Sequence, residues 1–125
     1  MDTRDKIKPL RDLNALLGGS KWIAIVGFFD PLTAAQIKRL AGAAAGGRKV
    51  LAIVLTASDN MLTADARAAL VAAVRGVDAV VIAGDQEWRS AIPHKADVTI
   101  NDDPEGEKRR SAEFVEFILE RQGQR

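Results

Sequence analysis

Short apolar runs alternate along this chain with stretches of helical periodicity, and that alternation constrains the fold more than any other feature. Trp22 to Val26, Val50 to Leu55 and Val77 to Ile82 are each nearly continuous in apolar residues, and Ala96 to Ile100 is a weaker fourth run. Such runs are buried on both faces, which suits parallel strands covered by helices better than half-exposed antiparallel ones. Between and beside them, apolar residues recur at spacings of three and four: Leu10, Leu13, Leu16 and Leu17; Ile37, Leu40, Ala41 and Ala44; Leu70, Val71 and Val74; Phe114, Phe117 and Ile118. Each set makes one apolar helical face. Gly18-Gly19 and Gly46-Gly47 end helices. Gly84 ends the third strand, and Asp102-Asp103-Pro104 forms a turn before the last helix, which carries Arg121 in its final turns. Asp30, before Pro31, and Thr63 are in place as helix N-caps. The expected fold class is therefore α/β: a three-layer α/β/α sandwich around a mostly parallel sheet of four to five strands, with right-handed crossovers. A chain of 125 residues fits one domain, residues 1–125, with residues 1–20 as a helical lead-in.

Composition removes whole classes of chemistry. The chain has no Cys, so it has no disulfide, thiolate zinc site or Cys nucleophile. It has no Tyr, and His94 is its single histidine. Lys and Arg total 18 against 17 for Asp and Glu, a net charge of +1. That balance argues against a strongly basic nucleic-acid binder. The opening residues interleave charges from Asp2 to Asp12 with no long apolar run after them. Neither a signal peptide nor a membrane anchor is expected there. No apolar run approaches the ~20 residues of a membrane span. The expectation is a cytoplasmic protein without membrane or nucleic-acid partners.

In an open parallel sheet, ligands bind beyond the carboxyl ends of strands, where strand order switches. The first such end here is Gly27-Phe28-Phe29-Asp30, leading into a helix whose N-terminal N–H groups suit a phosphate. The plainer reading is that Gly27 makes a turn and Asp30 caps the helix.

The stretch IAIVGFFDPLTAAQIKRL resembles the opening of the nucleotidyltransferase family that includes glycerol-3-phosphate and heptose-phosphate cytidylyl- and adenylyltransferases. That family opens with a strand, then G-x-F-D, two residues, and HxGH at a helix start. Gly27, Phe29 and Asp30 match, Leu32 fits, and Ile37 to Leu40 continue the pattern. Lys6 to Leu17 is similar to the helical lead-in of the heptose-type members. Ala64 to Ile82 is similar to the family's Arg-bearing helix and following strand, through Arg67, Val77, Asp78 and Val80. Arg110 and Ser111 align loosely with its R-S-T-T helix start. The resemblance runs through nearly the whole chain and implies a Rossmann-like nucleotidyltransferase fold. The site it implies, for a nucleotide or phosphorylated small molecule, comprises Gly27, Phe28, Phe29, Asp30, Thr33, Gln36, Arg67, Arg110 and Ser111. It also implies magnesium accompanying a nucleoside triphosphate, and a homodimer.

The family's chemistry is missing. There a sugar or alcohol phosphate attacks the α-phosphate of a nucleoside triphosphate, and positioned donors stabilise the growing charge. The two motif histidines do that work, and here Thr33 and Gln36 stand in their places, with Ala35 replacing the glycine between them. Thr and Gln donate hydrogen bonds but carry no positive charge. The segment Thr56 to Met61, where the family has a phosphate-contacting Lys, holds neither Lys nor Arg. Asn101-Asp102-Asp103 stands where the family has Lys-Gly-Gly-Asp, and Arg110-Ser111-Ala112-Glu113 lacks the threonines of R-S-T-T. Removing one preorganised donor costs ~3–4 kcal/mol. Losing two histidines and a lysine would slow turnover by roughly 10⁴–10⁷, non-additively.

Most of the remaining candidate residues carry two readings. Phe28 and Phe29 are core side chains or flank a pocket. Thr33 and Gln36 are surface polar groups or ligand contacts. Arg67, in mid-helix, is solvated or salt-bridged, or makes a phosphate or structural contact. Arg109 and Arg110 oppose a helix dipole or face an anion. His94 is a turn residue. Trp88, in the turn from Gly84, caps the sheet end or stacks on a base. Asp102 and Asp103 are a solvated turn or metal ligands. The sequence thus leads to a catalytically impaired nucleotidyltransferase-like protein that retains nucleotide or phosphate-metabolite binding. The alternatives are an enzyme of the family with altered residues, and a non-catalytic oligomerising subunit.

Overall fold

A computed structural model describes residues 2–30, 32–56, 62–93 and 98–102, with Asn101 and Asp102 described by their backbone alone. Five strands form one sheet: β1 (Ile7–Lys8), β2 (Trp22–Gly27), β3 (Lys49–Leu55), β4 (Ala79–Ala83) and β5 (Val98–Asp102). The order is β1-β4-β3-β2-β5 and every pairing is parallel. Among the described residues four α-helices accompany them: α1 (Leu13–Leu17), α2 (Ala34–Ala44), α3 (Ala64–Ala72) and α4 (Asp85–Ala91). Strand β1 was not foreseen. Its two residues pair with Val80 and Val81 and carry no apolar run of their own.

Alternation along each strand builds two cores. Ala24 and Val26, Leu51, Ile53 and Leu55, and Ala79, Val81 and Ala83 point to one face, against Leu13 and Leu17 of α1 and Trp88 of α4. Ile25, Val50, Ala52, Val54 and Val80 point to the other, against Leu40 of α2 and Ala68, Val71 and Ala72 of α3. The result is the three-layer, Rossmann-like α/β/α arrangement. Burying a Leu or Val side chain stabilises by roughly 1.5–3 kcal/mol, so the strand runs act as the main source of fold stability.

Helix boundaries follow local chemistry and correct several expectations. Thr63 caps α3 as expected, its hydroxyl accepting from the Ala66 N–H. Helix α2 begins at Ala34, not after Asp30, and its N-cap is Thr33. The segment from Gly84 to Trp88 is not a turn but the start of α4, with the Gly84 N–H donating to Glu87 Oε1. The core-facing stripes are also shifted. Ile37 and Leu70 are 42% and 48% exposed, whereas Gln36 and Arg67 are buried. Both stripes therefore take in a polar residue that hydrogen-bonds within the fold. Asp102 closes β5 instead of opening a turn.

Gly76 has φ +97°, and a Cβ there would lie 2.8 Å from Ala44 Cβ, so only glycine lets the turn after α3 pass the end of α2. Two residues later, Asp78 pins the two strand starts together. Its carboxylate accepts from the Val50 N–H at 2.8 Å, and its own N–H donates to the Val50 carbonyl at 2.9 Å.

Candidate functional site

Strand order determines where a ligand crevice lies. From β2 the chain steps to β3 and β4 in one direction, with α2 and α3 on one face. It then returns past β3 and β2 to β5, with α4 on the other face. The reversal falls between β2 and β5, the place in such sheets where ligands bind at the carboxyl ends. Gly27 ends β2, opposite Val54 of β3, and lies within the strand instead of breaking it. Val26 is in register with Asp102.

Phe28 and Phe29 leave β2 toward opposite faces. Phe28 is half-buried against the core of α1 and α4, and Phe29 is buried in the core of α2 and α3. Both are packing side chains. Phe29 takes φ +52°, a left-handed conformation that costs a non-glycine residue roughly 1–2 kcal/mol. Burial of its ring offsets that strain. The turn redirects Asp30, whose carboxylate does not cap α2. It accepts instead from the Leu62 N–H at 2.9 Å, just before α3.

Thr33 and Gln36 face one another. Thr33 Oγ1 accepts from the Gln36 N–H at 3.3 Å, and Gln36 Oε1 accepts from the Thr33 N–H at 3.0 Å. This reciprocal capping box satisfies two N–H groups at the start of α2. Gln36 is buried. T-x-x-Q is a sequence signature of the box, so the arrangement was open to sequence reasoning beside the surface and ligand-contact readings of the two residues.

Arg67 is the third polar group of the site and is only 1% exposed, contrary to the solvated reading. Its Nη1 donates to the carbonyls of Phe28 and Leu55, both at 2.7 Å, and its Nε donates to the Leu62 carbonyl at 3.2 Å. The guanidinium thus joins the carboxyl ends of β2 and β3 to the residue before α3. Its position in register with Val71 and Val74, four and seven residues on, was the available signal of burial.

Charge is distributed unevenly along the strand direction. The links from β2, β3 and β4 to their following helices contain Asp30 and Asp59 but no Lys, Arg or His. The segments leading into β2, β3 and β4 carry Lys21, Arg48 and Arg75 at the opposite end of the sheet. Among the described residues no cluster of three His, Asp or Glu side chains is placed to hold a metal. With the Asp30 carboxylate engaged by Leu62, these residues do not by themselves fit a magnesium ion. Trp88 is fully buried, its Nε1–H donating to Asp85 Oδ1 at 3.2 Å; it packs under α4 and offers no surface for a base. Pro31, Asp59, His94, Asp103, Arg109, Arg110, Ser111 and the helix expected after them lie outside the described residues. None of the helices among the described residues is long and apolar enough to cross a membrane.

No protein-family model matches this chain, and no curated protein matches it either.

Proposed function

We propose that this chain is a nucleotidyltransferase-like domain that has lost nucleotidyl transfer and retains binding of a nucleotide or phosphorylated metabolite at the carboxyl end of β2. The observation that carries this reading is the mutual capping of Thr33 and Gln36. By resemblance, these two positions would hold the histidines that stabilise charge on the transferring phosphate. Here both side chains are engaged with the backbone of α2. Arg67 supports the same reading, because its guanidinium is held on carbonyl groups instead of facing outward. Binding is supported by the switch in strand order beside Gly27. The resemblance adds Arg110 and Ser111, after β5, as further phosphate contacts, and magnesium as an ion brought in with a triphosphate.

A second reading, a non-catalytic subunit of a homodimer, is favoured by Ile37 and Leu70, large apolar residues exposed on α2 and α3.

A thermal-shift series with ATP, CTP, GTP and UTP, each with and without magnesium, tests the first reading. A ligand at one hundred times its Kd adds ~2.7 kcal/mol, or about 5–10 °C for a domain of this size. The expected result is a selective shift with one nucleotide. No shift with any of the four contradicts nucleotide binding and leaves the subunit reading.

A further inference from the structure

A lone exposed leucine needs no explanation, but Ile37 and Leu70 line one valley. Helices α2 and α3 lie on the same face of the sheet. Ala44 marks the side of α2 that faces α3, because a Cβ on Gly76, in the turn after α3, would lie 2.8 Å from the Ala44 Cβ. Ile37, seven residues earlier, is on that same side. Arg67 marks the side of α3 that faces α2. Its guanidinium reaches the Phe28 carbonyl just beyond β2, the strand on the α2 side of β3. Leu70, three residues later, is on that side too. The two residues therefore flank the valley between the helices, and they are 42% and 48% exposed. The surface around them is apolar. After Asp65 the residues of α3 and its C-cap that reach the surface are Ala66, Ala69, Leu70 and Ala73. Helix α2 adds Ala41 beside Ile37, with Lys38 at the outer margin. A surface helix ordinarily turns a charged face to water, whereas α3 turns alanine and leucine.

We propose that the valley between α2 and α3 is the surface on which a second copy of this chain docks, across a two-fold axis. The inference rests on the homodimer reading and adds the face and its geometry. Three observations favour a second copy as the occupant. The face is self-complementary: the alanine ridge of α3 is low enough to enter the valley of a partner, while Ile37 and Leu70 fill the gaps between small residues, and a two-fold makes each contact twice. The chain's net charge is +1, so two copies approach without strong repulsion. The size also fits. Helices of 11 and 9 residues are about 16 and 14 Å long, and side by side they cover roughly 300 Å² in projection. That is smaller than the ~800 Å² per partner of a standard interface, which sets the expectation of a reversible dimer.

In sedimentation velocity the full chain should show a monomer–dimer equilibrium that shifts with concentration. Ile37→Glu and Leu70→Glu each place a charge in the valley and should raise the dimer Kd about tenfold or more. Far-UV circular dichroism should not change, because both side chains are exposed in the monomer. The absence of native Cys allows a second test. A flexible bis-maleimide should couple two molecules of Leu70→Cys about tenfold more efficiently than two of Asn14→Cys. Asn14 is exposed on α1, which packs on the other face of the sheet. The coupling comparison decides the matter if the glutamate variants fail to fold. A monomer at every concentration overturns the homodimer reading and this face together. A dimer that both glutamate variants leave intact, or one that couples equally through Leu70→Cys and Asn14→Cys, overturns this face alone and keeps the homodimer reading.

Discussion

Asp30 and Arg67 hold Leu62 from its two sides. The Asp30 carboxylate accepts from the Leu62 N–H at 2.9 Å, and Arg67 Nε donates to the Leu62 carbonyl at 3.2 Å. Asp30 follows β2 and Arg67 lies in α3, so one backbone unit ties the candidate site to the next crossover. The same arginine reaches Phe28 and Leu55, which makes it a structural centre for this end of the sheet.

Replacing Arg67 should therefore act on stability before it acts on any ligand. Arg67→Met leaves three carbonyls without this donor and should cost about 3 kcal/mol or more in urea unfolding. Arg67→Lys keeps the charge, but a single ammonium cannot reproduce the planar fork; it should cost about 2 kcal/mol. A loss below about 0.5 kcal/mol for Arg67→Met would contradict this role.

Phe29 should invert a familiar ranking. At most buried positions glycine is worse than alanine by roughly 0.5–1 kcal/mol. Both substitutions lose the buried ring, at about 3–5 kcal/mol. At φ +52° alanine retains the strain and glycine does not. Phe29→Gly should then be at least as stable as Phe29→Ala, as compared by denaturant midpoints. A clear advantage for alanine would contradict the left-handed assignment.

The capping box should behave as a coupled pair. Thr33→Ala and Gln36→Ala should each cost about 0.5–2 kcal/mol, and the double variant should cost less than the two losses added together. Strict additivity in a double-mutant cycle would mean that the two side chains do not act together.

The two tryptophans should respond differently to replacement by phenylalanine. The Trp22 Nε1–H is buried without a partner, so Trp22→Phe removes an unsatisfied donor together with some packing. Trp88→Phe removes the hydrogen bond to Asp85 as well as packing. Thermal unfolding should place Trp88→Phe lower in stability by about 1 kcal/mol. Equal losses would contradict the difference in satisfaction.

The fold was largely legible because its signals are local and repeated. Val50 to Leu55 and Val77 to Ile82 read as buried strands from composition alone, and Thr63 reads as a cap from its place before Ala64 to Val74. The site was less legible because its polar groups serve partners distant in sequence. Asp30 before Pro31 has the local form of an N-cap, but its partner is Leu62, 32 residues away. Arg67 reaches Phe28 across 39 residues. Such pairings follow from strand order, which no single segment encodes. Thr33 and Gln36 show the opposite case, a local capping signature overshadowed by the resemblance of this stretch to a histidine motif.

On the proposed reading, the side chains that a transferase would direct at phosphate are here committed to the fold. Pyrophosphate release from ATP, CTP, GTP or UTP, with magnesium and a panel of sugar and polyol phosphates, tests it most directly. Release should be slower than that of an active enzyme of the resembled family, measured alongside, by roughly 10⁴-fold or more. Release at a comparable rate, dependent on both substrates, would contradict it and would mean that Thr33, Gln36 or residues beyond β5 supply the missing donors.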